Sequence, residues 1–376
     1  MKVILLKENF KKGLAVVEKI IGKNLNLPIL NNILINLEKS FLNLNTTDLE
    51  IAIKYWFLVK TEKEGNITVP AKFLYNFISS LSDEKLTLET KDQTLYIYHG
   101  KNTSQIKGQA VEEFPIIPKI KSKDFIEIKS PLFSKGLSQV VDFCALTQVR
   151  PEISGVYFNF QKDRVQLAAT DSFKLAEKTL LFEKPLTQSQ EYSFILPQKA
   201  AREIINIFSE KEGKMKIYFS SNQVMFEYPM QETPHPQIQL ISRLIEGEYP
   251  NYQEIIPKKY ESRIVLKKEE FLNQIKTASL FNKKTNEIQI NVVPKEKKIE
   301  ISSQSPELGE NQSGLPAKIE GKETKVAFNS RFLVDGLLNI KSEEVILELN
   351  GEEGPAVLRP IGDQSYTFVV MPIKNN

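Results

Sequence analysis

The sequence is poor in the residues from which most enzyme and metal sites are built. It holds one cysteine, Cys144, and two histidines, His99 and His235. A lone thiol excludes an internal disulfide framework and suits a reducing compartment. Two imidazoles leave little for a His-based metal site or a catalytic triad. No run approaches the ~20 apolar residues of a membrane helix. Lys7 and Glu8 interrupt the apolar start MKVILL, which argues against a secretory signal. An excess of one charge is also missing, since 50 basic residues face 47 acidic ones for a net charge of +3. Any handling of nucleic acid must therefore come from the placement of charges and not from bulk attraction. GxxxxGK followed by Ser or Thr, GxGxxG after a strand, GxSxG, HExxH and CxxC do not occur. Ser82-Asp83-Glu84-Lys85 fits SxxK without its companion motifs and reads as a turn that ends a helix.

What is present is an ordinary globular composition, 41% hydrophobic and 26% charged over 376 residues, enough for two or three domains. It repeats. Three segments share one pattern: GNITVPAKFLYNFISSLSDEKLTLET from Gly65, EYSFILPQKAAREIINIFSEKEGKMKIYFS from Glu191, and ETKVAFNSRFLVDGLLNIKSEEVILELN from Glu323. Each reads as a strand, an amphipathic helix, an acidic turn and another strand. With Val69, Leu196 and Phe328 as equivalents, the steps are 127 and 132 residues.

A second triplet lies upstream in each unit: KVILLKENFKKGLAVVEKII from Lys2, FIEIKSPLFSKGLSQVVDFCAL from Phe125, and RIVLKKEEFLNQIKTASLF from Arg263. Its equivalent points Val3, Ile126 and Ile264 are 123 and 138 residues apart. In the first copy Phe10, Leu14, Val17 and Ile21 fall on one helical face. Two motifs recurring in one order at nearly one period indicate three tandem domains of the same fold. Breaks fall in the Pro-rich, polar stretches near Ser122 and Pro257, giving domains 1–122, 123–257 and 258–376. Each carries two helices and several short strands, an α+β domain whose helices bury one face on antiparallel sheets. So long a period does not fit a solenoid.

The motifs LPILNNILI from Leu27, TTDLE from Thr46, TVPAK from Thr68, VRPEISGVYF from Val149, AATDSFKLA from Ala168, RLIEGEYPNYQEIIPK from Arg243 and YTFVVMPI from Tyr366 run the length of the chain. In order and spacing they resemble the bacterial DNA polymerase III β subunits, the processivity sliding clamps. The resemblance implies three repeats of the DNA-clamp fold and half of a six-domain ring. A head-to-tail homodimer would close that ring around duplex DNA, with helices inside and sheets outside, and heterologous contacts of this kind can close rings. Twelve helices at ~9 Å spacing, less half a helix diameter of ~10 Å on each side, leave a hole on the order of 24 Å, enough for a duplex and water. No cofactor, metal or catalytic residue is implied. The implied partners are double-stranded DNA irrespective of sequence, a second copy of the chain, the replicative polymerase, the clamp loader and other clamp-binding proteins, all in the cytoplasm.

A sliding protein needs weak attraction to phosphates without reading bases. Lys12, Lys19 and Lys23 are spaced for one helical face, as are Lys199, Arg202 and Asn206; Lys72 with Asn76, Arg331, and Lys276 with Lys283 and Lys284 are further candidates. The plainer account of any lysine stripe is a solvated face, and only the resemblance favours DNA. The three domains carry net charges of +4, −2 and +1, so most of the acid must lie outside a basic hole. By resemblance, the loop of Lys23 and Asn24 and that of Gln148 and Arg150 touch DNA. Relatives often carry Arg where Asn24 stands, and Lys23 is placed to substitute.

The resemblance also implies a cleft for short partner peptides. Its matching residues are Ile153, Thr170, Ser172, Phe173, Lys174 and Leu175, then Pro250 and Ile255, and finally Val369, Val370, Met371, Pro372 and Ile373. Aliphatic residues and Met make an adaptable apolar groove, although VVMPI also reads as a final core strand. Two departures stand out. Ser172-Phe173-Lys174 replaces the common Gly-His-Arg, making the cleft more apolar, and the chain ends IKNN. For ring closure Ile106, Leu280 and Phe281 are candidate apolar contacts, equally readable as core.

Two other functions can be framed. Asp48 and Asp171 recur in TD turns and would suit a metal-dependent nuclease, but the third repeat has Ser303-Gln304-Ser305 there and Asp commonly builds turns. A repeat scaffold that binds proteins without encircling DNA is the remaining competitor.

Overall fold

The computed structural model describes residues 1–22, 26–120, 122, 124–147, 149–183, 192–282 and 285–374. Six α-helices occur among them: α1 (Lys7–Val17), α2 (Ala71–Ser80), α3 (Ser130–Ser138), α4 (Gln198–Phe208), α5 (Lys268–Ser279) and α6 (Ser330–Asn339). None of the described helices is long and apolar enough to cross a membrane. The chain divides into two compact units, Met1–Ser134 with Lys199–Leu244, and Lys135–Gln198 with Ile245–Asn376.

The first unit has two sheets, antiparallel throughout. One runs Lys60–Lys63, Lys2–Leu6, Lys85–Lys91, Thr94–His99, Asn102–Lys107. The other has eight strands, in the order Phe125–Lys129, Lys214–Phe219, Gln223–Pro229, Pro236–Arg243, Ile51–Leu58, Phe41–Thr47, Asn32–Glu38, Gly65–Pro70. Four of these strands come from the first sequence repeat and four from the second. They join where Ile51–Leu58 pairs with Pro236–Arg243, in a register that sets Lys54 opposite Gln239. On α1 the residues Phe10, Gly13, Leu14 and Val17 are buried. Gly13 lies so close to the sheet that a Cβ there would sit 2.8 Å from Leu44 and 2.9 Å from Tyr55. Each large apolar side chain removed from water in this way contributes roughly 1.5–3 kcal/mol.

The second unit repeats the plan. Its nine-stranded sheet runs Tyr192–Pro197, Gly155–Phe160, Arg164–Thr170, Lys174–Leu181, Tyr366–Val370, Ala356–Pro360, Glu344–Leu349, Ser262–Lys267, Lys318–Gly321. A four-stranded sheet runs Gly309–Pro316, Lys298–Ser305, Glu287–Val293, Thr324–Asn329. Phe271, Leu272 and Ile275 of α5 and Leu333 and Leu337 of α6 are buried. The Asn329 side chain caps α6 by accepting from the Arg331 N–H.

Candidate functional site

Two hairpins carry the same turn. Between Phe41–Thr47 and Ile51–Leu58, Thr47 Oγ1 donates to the Ile51 carbonyl (2.9 Å) and accepts from the Leu49 N–H (3.0 Å). Asp48 Oδ1 accepts from the N–H groups of Glu50 (3.0 Å) and Ile51 (2.7 Å). Between Arg164–Thr170 and Lys174–Leu181, Thr170 and Asp171 make the same four bonds with the Lys174 carbonyl and the N–H groups of Ser172, Phe173 and Lys174 (2.8–3.1 Å). The residue after each aspartate is left-handed, Leu49 at φ 77° and Ser172 at φ 78°. Asp48 and Asp171 are therefore turn-forming carboxylates whose Oδ1 atoms are committed to backbone.

The second turn stands at one end of an apolar cluster. Pairing in the nine-stranded sheet sets Leu175 beside Val369. Strand alternation sends both to the face opposite Phe368, whose ring lies against Gly336 of α6. Ile153, Leu175 and Val369 join Ala168 and Val357 there, and Tyr249 and Tyr252 close over them. Tyr157 stacks on Tyr249 with ring centroids 4.8 Å apart, and the Tyr252 hydroxyl donates to Glu177 Oε2 (2.7 Å). Burial pushes both hydroxyls upward in pKa, and Glu177 adds to the rise at Tyr252. Below them the face opens into a cavity of ≈ 560 Å³ bounded by Gln166, Glu177, Lys258, Tyr260, Glu348 and Arg359.

Flanking the floor are Phe173, 61% exposed, and Ile255, also exposed. Pro250, Met371 and Ile373 are half-buried and Pro372 is buried. The Met371 N–H donates to the Phe173 carbonyl (2.9 Å) and the Ile373 N–H to the Ala327 carbonyl (2.8 Å), which fixes the chain's exit. Two expected cleft residues are misplaced. Lys174 and Val370, paired across the sheet, point to the helix side because they neighbour Leu175 and Val369 in strands of period two. Lys174 bridges to Asp335 of α6 (2.7 Å), with its ammonium over the rings of Phe143 (5.4 Å) and Phe332 (5.0 Å). It is a structural clamp. Tyr157, Tyr249 and Tyr252 were not singled out in the sequence; the two tyrosines three apart in EYPNYQE were the available signal.

The basic residues are scattered over helix surfaces. Lys12, Lys19, Lys72, Lys199 and Arg202 are exposed. Lys199, Arg202 and Asn206 share the face of α4 opposite Ala201, Ile204 and Phe208. α1 ends at Val17 and Glu18–Ile20 tightens into a 3-10 turn, so Lys12 stands on the helix and Lys19 on the turn that follows it. Lys19 Nζ donates to the Asn206 carbonyl (2.9 Å), and Lys199 bonds Asp48. Burial raises the Glu18 pKa against the opposing charges of Lys72 and Lys19. Arg150 pairs with Glu152 (3.0 Å) and reaches Ser172 Oγ (3.3 Å), at the turn beside the apolar cluster. Lys23, Asn24, Gln148, Lys283 and Lys284 lie outside the described residues.

Of the apolar contacts expected for self-association, Ile106 is 5% exposed and packs within its own sheet, because its neighbours on the edge strand Asn102–Lys107 take the outward positions. Leu280, just beyond α5, is 71% exposed and Phe281 half-buried. Asn102–Lys107 and Gly309–Pro316 are each the last strand of a sheet.

Comparison with known proteins gives one answer along the chain. Family models described as the N-terminal, central and C-terminal domains of the DNA polymerase III beta subunit match residues 1–118, 127–251 and 253–374. A protein of Staphylococcus aureus named beta sliding clamp is 30% identical over 367 residues, covering 95% of this chain and 94% of its own. One of the same name from Synechococcus elongatus is 27% identical over 381 residues, covering 100% and 99%. The crystal structure of the DNA polymerase sliding clamp from Bacillus subtilis matches with a TM-score of 0.93 at 25% identity, covering 100% of both chains.

Proposed function

The chain belongs to the DNA polymerase III beta subunit family, the sliding clamps that serve DNA replication as non-catalytic processivity factors, and from that premise we propose how its own residues do the work. Two copies join head to tail into a cytoplasmic ring around duplex DNA and tether the replicative polymerase, the clamp loader and other clamp-binding proteins. The ring is made of the repeats 1–122, 123–257 and 258–376. The open strands Asn102–Lys107 and Gly309–Pro316 offer unpaired backbone for that closure, with Leu280 and Phe281 as apolar support.

The observation that carries the DNA reading is the exposed face of α4. Its buried residues Ala201, Ile204 and Phe208 lie on the other side, and Lys199, Arg202 and Asn206 are exposed. Lys12 and Lys72 add charge on α1 and α2. Lys199 and Lys19 already have protein partners, which suits loose, water-mediated phosphate contact and not a fixed grip. The experiment is retention on nicked circular DNA: the loaded protein should stay on the circle and run off once it is linearised. Equal retention on both would refute encirclement.

Partner peptides take the apolar floor of Ile153, Leu175 and Val369 at its open end, between Phe173 and Met371. The double variant Phe173→Ala, Met371→Ala should weaken polymerase- and loader-derived peptides about tenfold or more, as loss of two apolar anchors does, while the dimer persists by light scattering. Unchanged affinity would remove the assignment.

A further inference from the structure

The chain contains two joints between repeats, and they are one joint made twice. At the first, Ile53 of Ile51–Leu58 faces Leu240 of Pro236–Arg243; at the second, Ala176 of Lys174–Leu181 faces Phe368 of Tyr366–Val370. All four side chains are fully buried on the helix side of their sheets. The equivalent positions on the two open edge strands follow from the pairing. Val3, Ile126 and Ile264 are equivalent in the three repeats. Crossing strand by strand, they lead through Leu88 and Ile97 to Ser104, through Ile217 and Phe226 to Leu240, and through Leu347 and Leu358 to Phe368. On the other edge, Thr46 and Ser303 each donate to the carbonyl of the last buried residue of a helix, Val17 of α1 and Ala278 of α5 (2.6 Å in both). Across their hairpins stand Ile53 and Asn311. Ser104 thus takes the place of Leu240 and Phe368, and Asn311 that of Ile53 and Ala176.

Both residues are polar and half-buried. The level beside them is polar too: Asn102 and Ser313 stand where the first joint has Ile238 with Tyr55 and the second has Tyr366 with Lys178. The polarity of Ser104 is built in. Its Oγ lies 3.3 Å from His99 Nε2, and His99 Nδ1 lies 3.3 Å from Asp83 Oδ2, with the Phe77 ring edge-on to the imidazole. A hydrogen-bond chain therefore ends at the very edge where the other repeats place a large apolar side chain. Resting on the ring described above, we propose that two copies pair with Ser104 opposite Asn311 of the partner subunit. This polar inner layer makes the seam between copies the joint that separates, while the apolar joints within each chain hold.

The whole protein tests this. One residue along, the same register sets Gln105 opposite Glu310 of the partner subunit, and both positions are exposed. Facing residues of antiparallel strands lie within disulfide reach, and the single native cysteine, Cys144, is buried and does not compete. Exposed to oxidised glutathione, Gln105→Cys with Glu310→Cys should form covalent dimer roughly tenfold faster than the shifted pair Gln105→Cys with Gln312→Cys. Ser104→Leu with Asn311→Ile copies the first joint. It should lower the dimer dissociation constant about tenfold or more, read by dilution in the ultracentrifuge, as added buried apolar surface does. Asn311→Ile alone leaves His99 its partner and should act in the same direction by less. A dimer that cross-links faster through the shifted pair, or that neither variant tightens, would overturn the proposal and leave the ring standing. A wild type that stays monomeric at every concentration would overturn both.

Discussion

Across the hairpin of the eight-stranded sheet Asn45 faces Lys54; across the matching hairpin of the nine-stranded sheet Ala168 faces Glu177. The two hairpins share a register and a four-bond turn, so these pairs occupy the same place in successive repeats. What covers them differs. In the second unit Tyr252 brings a hydroxyl to Glu177 and, with Tyr249, roofs a continuous apolar layer. In the first, Ile117, Ile120 and Tyr218 pack on the small cluster of Ala52, Met225 and Ile241. Repetition has kept what closes the backbone and has let the outer faces diverge. Those faces tolerate change because the helix-side core does not depend on them.

Three substitutions sharpen or break that contrast. The largest effect is expected from Leu175→Ala. Opening a cavity in the roofed layer should cost the second unit about 2–5 kcal/mol, seen as faster hydrogen exchange in Tyr366–Val370. A cost well under 1 kcal/mol would mean the layer is loose and the contrast overstated. Next, Tyr252→Phe removes the hydroxyl donated to Glu177 and should destabilise by about 1–3 kcal/mol, the penalty for a polar group that loses its partner. Exchange protection of Arg164–Thr170 and Lys174–Leu181 reports it. The smallest effects should be gains. Glycine at Leu49 or Ser172 relieves a left-handed cost of roughly 1–2 kcal/mol and gives back about 0.5–1 kcal/mol in chain entropy. Each should raise the melting temperature slightly and equally. Unequal gains would show that the two turns are alike only in outline.

The repeats, the helices and the TD turns could all be read from the sequence, because each rests on local rules: periodicity, turn chemistry and recurrence. The apolar floor of the site was legible for a related reason, since the strand ending in VVMPI supplies Val369 directly. Side-chain direction was not. Lys174 and Val370 were grouped with Leu175 and Val369 although alternation must part them, and only the register shows which pair faces the helices. The change from α-helix to 3-10 turn after Val17 was not legible, because no cap in the sequence marks that end. Tyr249 and Tyr252 were hidden in a stretch read as linker. The place of Tyr252 depends on Glu177, 75 residues away in sequence.

The shared sheet also sets a timetable for synthesis. Tyr55 finds its neighbour Ile238 only 183 residues later in the chain. At about 5–20 residues per second, a ribosome leaves the edge of Ile51–Leu58 bare for roughly 10–40 s. A bare edge of that length invites pairing with strangers. Chaperone dependence of the nascent chain should therefore peak before Pro236–Arg243 emerges and fall once it has.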